Sequence, residues 1–325
     1  MIITRTPFRI SFCGGGTDLP DYYKENGGCV VSTSIDKYIY ITLAKSFHEN
    51  LTTLKYSTVE TVDDLDFVKH PIFRETLQMY DVHGYEINST SNIPSGTGLG
   101  SSSTFTVGLI GGIRTLRNKE VSKSILAKEA CDMEIGRLGE PIGKQDQYAA
   151  AFGGLNFIRF NKDDSVDVEP IALSSEEKIR MSDNLMMFYL GGTRSASKIL
   201  KSYKSNTPSN SGMKKNLSEL AVKLKDKLNQ GDIESLGNIL DEGWQIKKSL
   251  SKDVSNETID DVYDRAISNG AIGGKLLGAG GNGFMLFYVD KENQRAVRES
   301  LSNYREFPFR FDDTGFQVVY DDEAH

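Results

Sequence analysis

Ten residues, Pro94-Ser-Gly-Thr-Gly-Leu-Gly-Ser-Ser-Ser103, carry the clearest chemistry in the chain. Glycine at every second position leaves backbone N–H groups uncovered by side chains. The serines then open an apolar stretch of helical period, Phe105 to Leu116. A glycine loop running into a helix N-terminus binds anions, because unpaired N–H groups and the helix dipole both face the ligand. A nucleotide phosphate suits such a loop. Pro94, Gly96, Gly98, Leu99, Gly100, Ser101, Ser102 and Ser103 are therefore expected to cradle the β- and γ-phosphates, with the Ser102 hydroxyl reaching a metal ion. No Gly-Lys-Ser/Thr ends the loop, so it is not a Walker A sequence. A purely structural turn is the alternative, but alternating glycines before three serines exceed what a helix cap needs.

Four further groups bear on chemistry. Gly14-Gly-Gly-Thr-Asp18 follows a strand pattern directly. Its glycines, Gly15 and Gly16 among them, let a ligand approach the main chain, and Thr17 and Asp18 continue the turn. Asp18 can accept hydrogen bonds from sugar hydroxyls; a bulge closed by an Asx turn is the competing reading. Asp146 follows Glu134 by twelve residues. If loop and helix converge, one acid holds a cation and the other takes a proton from an attacking hydroxyl. On spacing alone, two solvated carboxylates fit as well. Arg9 sits among apolar strand residues, where an inward arginine requires a phosphate or carboxylate partner. Gly278-Ala-Gly-Gly-Asn-Gly283 matches G-x-G-x-x-G, but a helix pattern precedes it and a strand follows. That order is the reverse of a dinucleotide fingerprint, so a nicotinamide site is rejected. Gly280 and Gly281 form either a tight turn or a backbone wall against substrate or phosphates. The histidines, His48, His70, His83 and His325, show no ligand spacing.

The elements that must position these groups alternate. Ile2–Thr4, Phe8–Phe12, Val30–Ser34, Tyr38–Ala44 and Tyr85–Thr90 read as strands, with an Ile-Asp-Lys break between the third and fourth. Helices are expected over 102–117 and 122–138, the second stopped by Gly139. The polar stretch from Asn161 to Asp183 suggests a division into 1–180 and 181–325. Beyond it come a strand over 185–190 and a mobile loop over 201–215, rich in Ser, Asn and Gly. Helices over 217–228, 233–250 and 258–268 follow, then the glycine turn, a strand over 284–289, a helix over 293–304 and two short strands. Mixed helices and strands in both halves indicate the α+β class.

At 325 residues the chain can bury a full core without disulfides. Cys13, Cys29 and Cys131 are scattered and odd in number, which fits reduced thiols. The net charge of −7 argues against general nucleic-acid binding, which needs a basic face. It leaves nucleotide binding open, since a phosphate site needs only local N–H groups and a cation. No apolar run approaches the ~18 residues of a membrane span, and Met1–Arg9 contains no signal-type apolar core. A cytoplasmic protein, with no membrane partner, is expected.

Together, Pro7-Phe-Arg-Ile-Ser-Phe-Cys-Gly-Gly-Gly-Thr-Asp18, Pro94–Ser102 and Lys275-Leu-Leu-Gly-Ala-Gly-Gly-Asn-Gly-Phe284 resemble the three motifs of the GHMP kinase superfamily, in order and over essentially the whole chain. Phe12–Asp18, Ser34-Ile-Asp-Lys-Tyr38, Lys55-Tyr-Ser57, His70-Pro-Ile-Phe-Arg-Glu75 and Lys144-Gln-Asp-Gln147 are most similar to its D-glycero-D-manno-heptose 7-phosphate kinase group. Galactokinases have Gly-Glu-His where this chain has Gly14-Gly-Gly16. The resemblance implies an N-terminal domain like ribosomal protein S5 domain 2 and a ferredoxin-like C-terminal domain, with the active site between them. It implies ATP and Mg2+ as cofactors, and a C1-phosphorylated heptose destined for nucleotide-activated heptose and surface glycans. By motif position, Asp146 is the catalytic aspartate, Glu134 and Ser102 the metal ligands, Arg9 the basic group facing the transferred phosphoryl, and Asp18 a sugar ligand. A 7-phosphate needs a cation, for which Arg194 is the candidate, with Lys198 a turn later. Another small substrate (a fucose- or galactose-like sugar or a mevalonate-type acid) and a catalytically silent sensor are the alternatives. The sequence allows a monomer or a homodimer.

Overall fold

The computed structural model describes residues 1–192 and 207–322, so Arg194, Lys198 and His325 lie outside the described residues. The β-branched and aromatic residues at the start of the chain form one strand, β1 (Ile2–Cys13). It pairs antiparallel with the long β2 (Gly28–Lys45). The spacing predicts two strands in each place; the join is a bulge. Pro7 pairs with Tyr38 and Phe8 with Ile35, so Asp36 and Lys37 drop out of the ladder. The bend lets one strand serve two neighbours. β5 (Tyr85–Ser91) pairs with the second half of β2, and β6 (Leu155–Phe160) with the first.

The sheet runs β12 (Gln317–Asp321), β1, β2, β5, β3 (Thr52–Lys55), β4 (Val59–Val62), with β7 (Val166–Pro170) continuing from β6. Its helices are α1 (Pro20–Asn26), α2 (Pro71–Tyr80), α3 (Ser101–Leu116), α4 (Lys123–Cys131) and α5 (Gln145–Phe152). α4 runs on into a π-helical turn, Asp132–Arg137. α6 (Ser175–Asp183), held by a Ser174/Glu177 capping box, leads to the second sheet. That sheet is antiparallel in the order β11 (Arg305–Glu306), β8 (Leu185–Tyr189), β10 (Phe284–Val289), β9 (Ala271–Leu276). Its helices are α7 (Thr207–Asn229), α8 (Ser235–Leu250), α9 (Glu257–Ser268) and α10 (Gln294–Ser300).

Helices and sheets are mixed in both halves, the α+β class expected from the sequence. The expected loop over 201–215 is corrected in its described part, which is helical from Thr207. Ser, Asn and Gly there are weak helix formers. Packing decides instead, because Leu217, Leu220, Ala221, Leu224 and Leu228 bury one face of α7. Leu220, Ala221, Leu224 and Leu228, with Phe8 and Ile110 of the first sheet's layer and Leu286 of the second sheet, belong to one contiguous core. Among the described residues, no helix is long and apolar enough to cross a membrane.

The end of the chain returns to the beginning. β12 pairs with β1, joining Ile3 to Tyr320. Phe316, just before it, lies in a notch on α3 that exists because residue 111 is glycine; a Cβ there would stand 2.3 Å from the ring. Phe316→Ala is expected to cost about 3 kcal/mol in urea unfolding by emptying that notch. An unchanged unfolding midpoint would show that the tail is not held there.

Candidate active site

Gly96, Gly98 and Gly100 have φ of 75°, 90° and 79°. This left-handed region costs a side-chain-bearing residue roughly 1–2 kcal/mol, so the alternation first answers a backbone need. Gly98 has a second constraint. A Cβ on it would stand 2.5 Å from the Leu277 carbonyl oxygen, and one on Gly283 would stand 2.3 Å from that of Thr97. The loop before α3 and the glycine turn between β9 and β10 therefore touch backbone to backbone. Between them lies a cavity of about 1000 Å³. Pro94, Gly96, Gly98, Gly100, Ser101, Ser102 and Ser103 line it, at the N-terminus of α3. Leu99 corrects the expectation. It is fully buried and off the cavity wall, and its carbonyl accepts the Arg9 backbone N–H at 3.3 Å.

Asp146 stands in the first turn of α5, also on the cavity wall. Arg9 of β1 reaches it with two parallel bonds: Nε donates to Oδ1 at 2.7 Å and Nη2 to Oδ2 at 2.8 Å. Its Nη1 donates to the Gly98 carbonyl at 2.8 Å. The inward arginine thus finds the carboxylate it requires, and it clamps strand, loop and α5 together. All three of its nitrogens are turned to these partners, so Arg9 here positions Asp146.

Glu134 is brought inward by the π-helical turn, a feature common at functional sites. It is fully buried and lies behind the wall. Its Oε1 accepts the Ser102 hydroxyl at 2.5 Å and its Oε2 the Gln147 amide at 2.7 Å. Burial pushes its carboxyl up to about 7 against these hydrogen bonds. Among the described residues, no three His, Cys, Asp or Glu side chains form a cation cage. A hydroxyl beside one carboxylate nonetheless fits magnesium, which takes few protein oxygens and completes its shell with phosphate and water.

Asp18 lines the cavity beside Gly14, Gly15 and Gly16. It accepts N–H bonds from Gly16 at 2.9 Å and Gln145 at 3.3 Å, and burial raises its pKa, with Asp146 adding to the shift. Two expectations fail here. Thr17 is fully buried, its hydroxyl given to the Gly14 and Cys29 carbonyls at 2.8 and 2.9 Å, so it holds the turn. Gly280 lines the cavity but Gly281 does not; its N–H donates to the Val254 carbonyl at 3.0 Å.

Several wall residues were given no role of their own by the sequence reading. Lys275 donates to the Ser11 and Phe12 carbonyls at 2.8 and 2.9 Å, and burial brings it down to about 8. Lys247 of α8 donates to the Gly278 carbonyl, and burial, with Lys275 and Arg9 nearby, holds it well below the usual lysine range. At the other end of the cavity Ile39, Tyr56, His70, Ile72 and Phe105 form an apolar and aromatic wall. His70 packs edge-on against Tyr56 with ring centres 5.0 Å apart. Its place in the cavity was not legible in the sequence.

The chain matches the model of the GHMP kinases N terminal domain over residues 66–154 and that of the GHMP kinases C terminal over residues 224–306. It is 32% identical to the D-glycero-alpha-D-manno-heptose 7-phosphate kinase of Campylobacter jejuni, with 95% of this chain and 96% of that protein covered. It is 26% identical to a galactokinase of Pyrococcus furiosus, with 95% and 94% covered. A crystal structure of a D-glycero-D-manno-heptose 1-phosphate kinase from Bacteriodes thetaiotaomicron shares the fold at a TM-score of 0.80 and 23% identity, over 99% of this chain and 100% of that one.

The buried acid has a consequence for stability. Glu134, raised from 4.5 to about 7, binds its proton more tightly in the folded than in the unfolded chain. Its stabilising share is full below the unfolded value and is lost as pH rises through the folded one. Relative to Glu134→Gln, the metal-free protein is expected to lose roughly 3 kcal/mol of unfolding free energy across that window. Urea unfolding at several pH values tests this; parallel profiles for protein and variant would refute it.

Proposed function

The chain belongs to the GHMP kinases, and from that premise we propose that it transfers the γ-phosphoryl group of ATP to the C1 hydroxyl of a D-glycero-D-manno-heptose 7-phosphate. That it is an ATP-dependent sugar kinase holds without the finer assignment. The reading is carried by one observation: Asp146, fixed by Arg9, shares a single cavity with the glycine loop and the Asp18 turn. The heptose is supported by the 32% identity to a heptose 7-phosphate kinase over nearly the full length of both chains.

Phosphoryl transfer needs in-line positioning and charge neutralisation more than covalent chemistry. The amides of Gly96 to Ser103 and the N-terminus of α3 hold the phosphate chain. The apolar end, Ile39, Ile72 and Phe105 with Tyr56 and His70, takes the base. Ser102 and Glu134 would hold the magnesium ion, which supplies positive charge to the β- and γ-oxygens when bound. Asp18 orients the sugar through its hydroxyls. Asp146 accepts a hydrogen bond from the C1 hydroxyl and takes its proton as the sugar oxygen bonds to the γ-phosphorus and the bond to ADP breaks. Arg9 keeps the carboxylate aimed, and the buried lysines Lys247 and Lys275 favour anions at this end of the cavity.

Asp146→Asn is expected to lower kcat by about 10²-fold or more while leaving ATP affinity within about twofold. Near-normal turnover would remove Asp146 as the proton acceptor. Incubation with Mg-ATP and a panel of acceptors, followed by mass spectrometry, is expected to add one phosphoryl group to the heptose 7-phosphate at C1. A higher kcat/KM with fucose, galactose or mevalonate would overturn the heptose assignment.

A further inference from the structure

We propose that Ser11 and Gln145 hydrogen-bond ring hydroxyls of the sugar acceptor, which stands in the open space over Gly15. The proposal rests on the reading above that the acceptor lies between Asp18 and Asp146, and adds to it the residues that select its hydroxyls.

The three glycines before Thr17 are glycine for different reasons. Gly14 has a φ of 88°, and a Cβ on it would stand 2.0 Å from the Cys29 carbonyl oxygen. Gly16 has a φ of 94°. The backbone demands glycine at both. Gly15 has neither constraint. Its φ lies outside the left-handed region, and a Cβ on it would meet Gln145 Nε2 at 3.6 Å and Ser11 Oγ at 3.7 Å, both ordinary contacts. Beyond its chain neighbours, no other heavy atom would come within 4 Å. The fold thus leaves room for a side chain at Gly15, and the glycine keeps that space open on the cavity wall, which it lines.

The two residues bordering this space carry unsatisfied polar atoms. Ser11 follows Arg9 by two residues on β1, so both side chains leave one face of the strand, and both residues line the cavity. Ser11 is only 6% exposed, and its hydroxyl has no hydrogen-bond partner among the described residues. Ser32, opposite it on β2, is unpartnered too and lies off the wall, so the two serines do not satisfy each other. Gln145 opens α5 directly before Asp146, and its backbone N–H is given to Asp18. Its side-chain carbonyl oxygen is buried and likewise unpartnered. The amide can turn over to offer either a donor or an acceptor. Buried polar groups are nearly always hydrogen-bonded, and one left without a partner is costly. These two flank a gap between the acids, since Gly15 belongs to the Asp18 turn and Gln145 adjoins Asp146. Sugar hydroxyls, which donate and accept, match a serine hydroxyl and an amide. An anion in the gap would be repelled by Asp18 and Asp146.

The test measures kcat and KM for Ser11→Ala, Gln145→Leu and Gly15→Ala with heptose 7-phosphate, or with the best sugar of the acceptor panel if another is preferred, and with its 2-, 3- and 4-deoxy analogues. Each variant is expected to raise the acceptor KM about tenfold or more and to move the KM for ATP less than about twofold. The loss in Ser11→Ala and Gln145→Leu should vanish with the analogue that lacks the bound hydroxyl, a coupling that general damage to the fold would not produce. Ser11→Ala should also leave the urea unfolding midpoint of the ligand-free protein unchanged or higher, because it deletes a hydroxyl that bonds nothing in the protein. An acceptor KM unchanged in any of the three variants, or equal losses with every analogue, would overturn the subsite. Asp18→Asn is the control for the acceptor's place. A KM raised in that variant alone would keep the acceptor beside Asp18 and refute the roles of Ser11 and Gln145. A KM unchanged in all four variants would remove the acceptor from this turn altogether.

Discussion

Arg9 gripping both oxygens of Asp146 is the contact on which the site depends. One guanidinium joins β1, the glycine loop and the first turn of α5, three segments far apart in the chain. Its burial is tolerable because a carboxylate and a carbonyl satisfy its nitrogens, and an unpaired charge at that depth would be costly. Asp146 is held with both oxygens directed and its charge balanced. A carboxylate fixed in this way needs no reorganisation to accept a hydrogen bond.

The second constraint is backbone contact between the halves. Gly98 against Leu277 and Gly278, and Gly283 against Thr97, bring two glycine segments closer than any side chain would permit. Lys275 strengthens the junction, because its ammonium crosses from the second sheet to the carbonyls that end β1. The cavity is thus a seam whose walls come from both sheets, closed by hydrogen bonds and close packing. The glycine loop, the Gly14–Asp18 turn and Asp146 come together at this seam because each is fixed to it.

Electrostatics follow from burial. Glu134 is pushed up and Lys275 down for the same reason, the poor solvation of charge inside the protein. Each becomes easier to ionise when the opposite charge arrives, the acid with a cation and the lysine with a phosphate. The protonation of each is therefore set by burial and by what stands beside it. Ser102 links the two regimes: it is exposed towards the cavity and hydrogen-bonded to the buried Glu134.

Much of the site was legible before any fold. The glycine loop before a serine-opened helix, the Gly14–Asp18 turn and the third glycine segment are local patterns, and their backbone chemistry does not depend on distant residues. α3, β5 and the helices α8 and α9 also followed from periodicity. The strands β3, β4 and β7 did not, because short strands at sheet margins take their structure from neighbours. Nor did the start of α7, where the packing of its leucines outweighed poor local propensity. Thr17, Leu99 and Gly281 share their motifs with ligand-facing residues yet point elsewhere, since adjacent residues in a turn face opposite ways. Residue types and spacing thus determined by themselves where uncovered backbone N–H groups run into a helix N-terminus, a chemistry suited to an anion. The pairing of Arg9 with Asp146, the inward turn of Glu134 and the arrival of Lys247 and Lys275 at one cavity were decided by the tertiary structure alone. Those contacts join residues remote in the chain, and burial, which sets their charge, exists only once the two sheets have closed on each other.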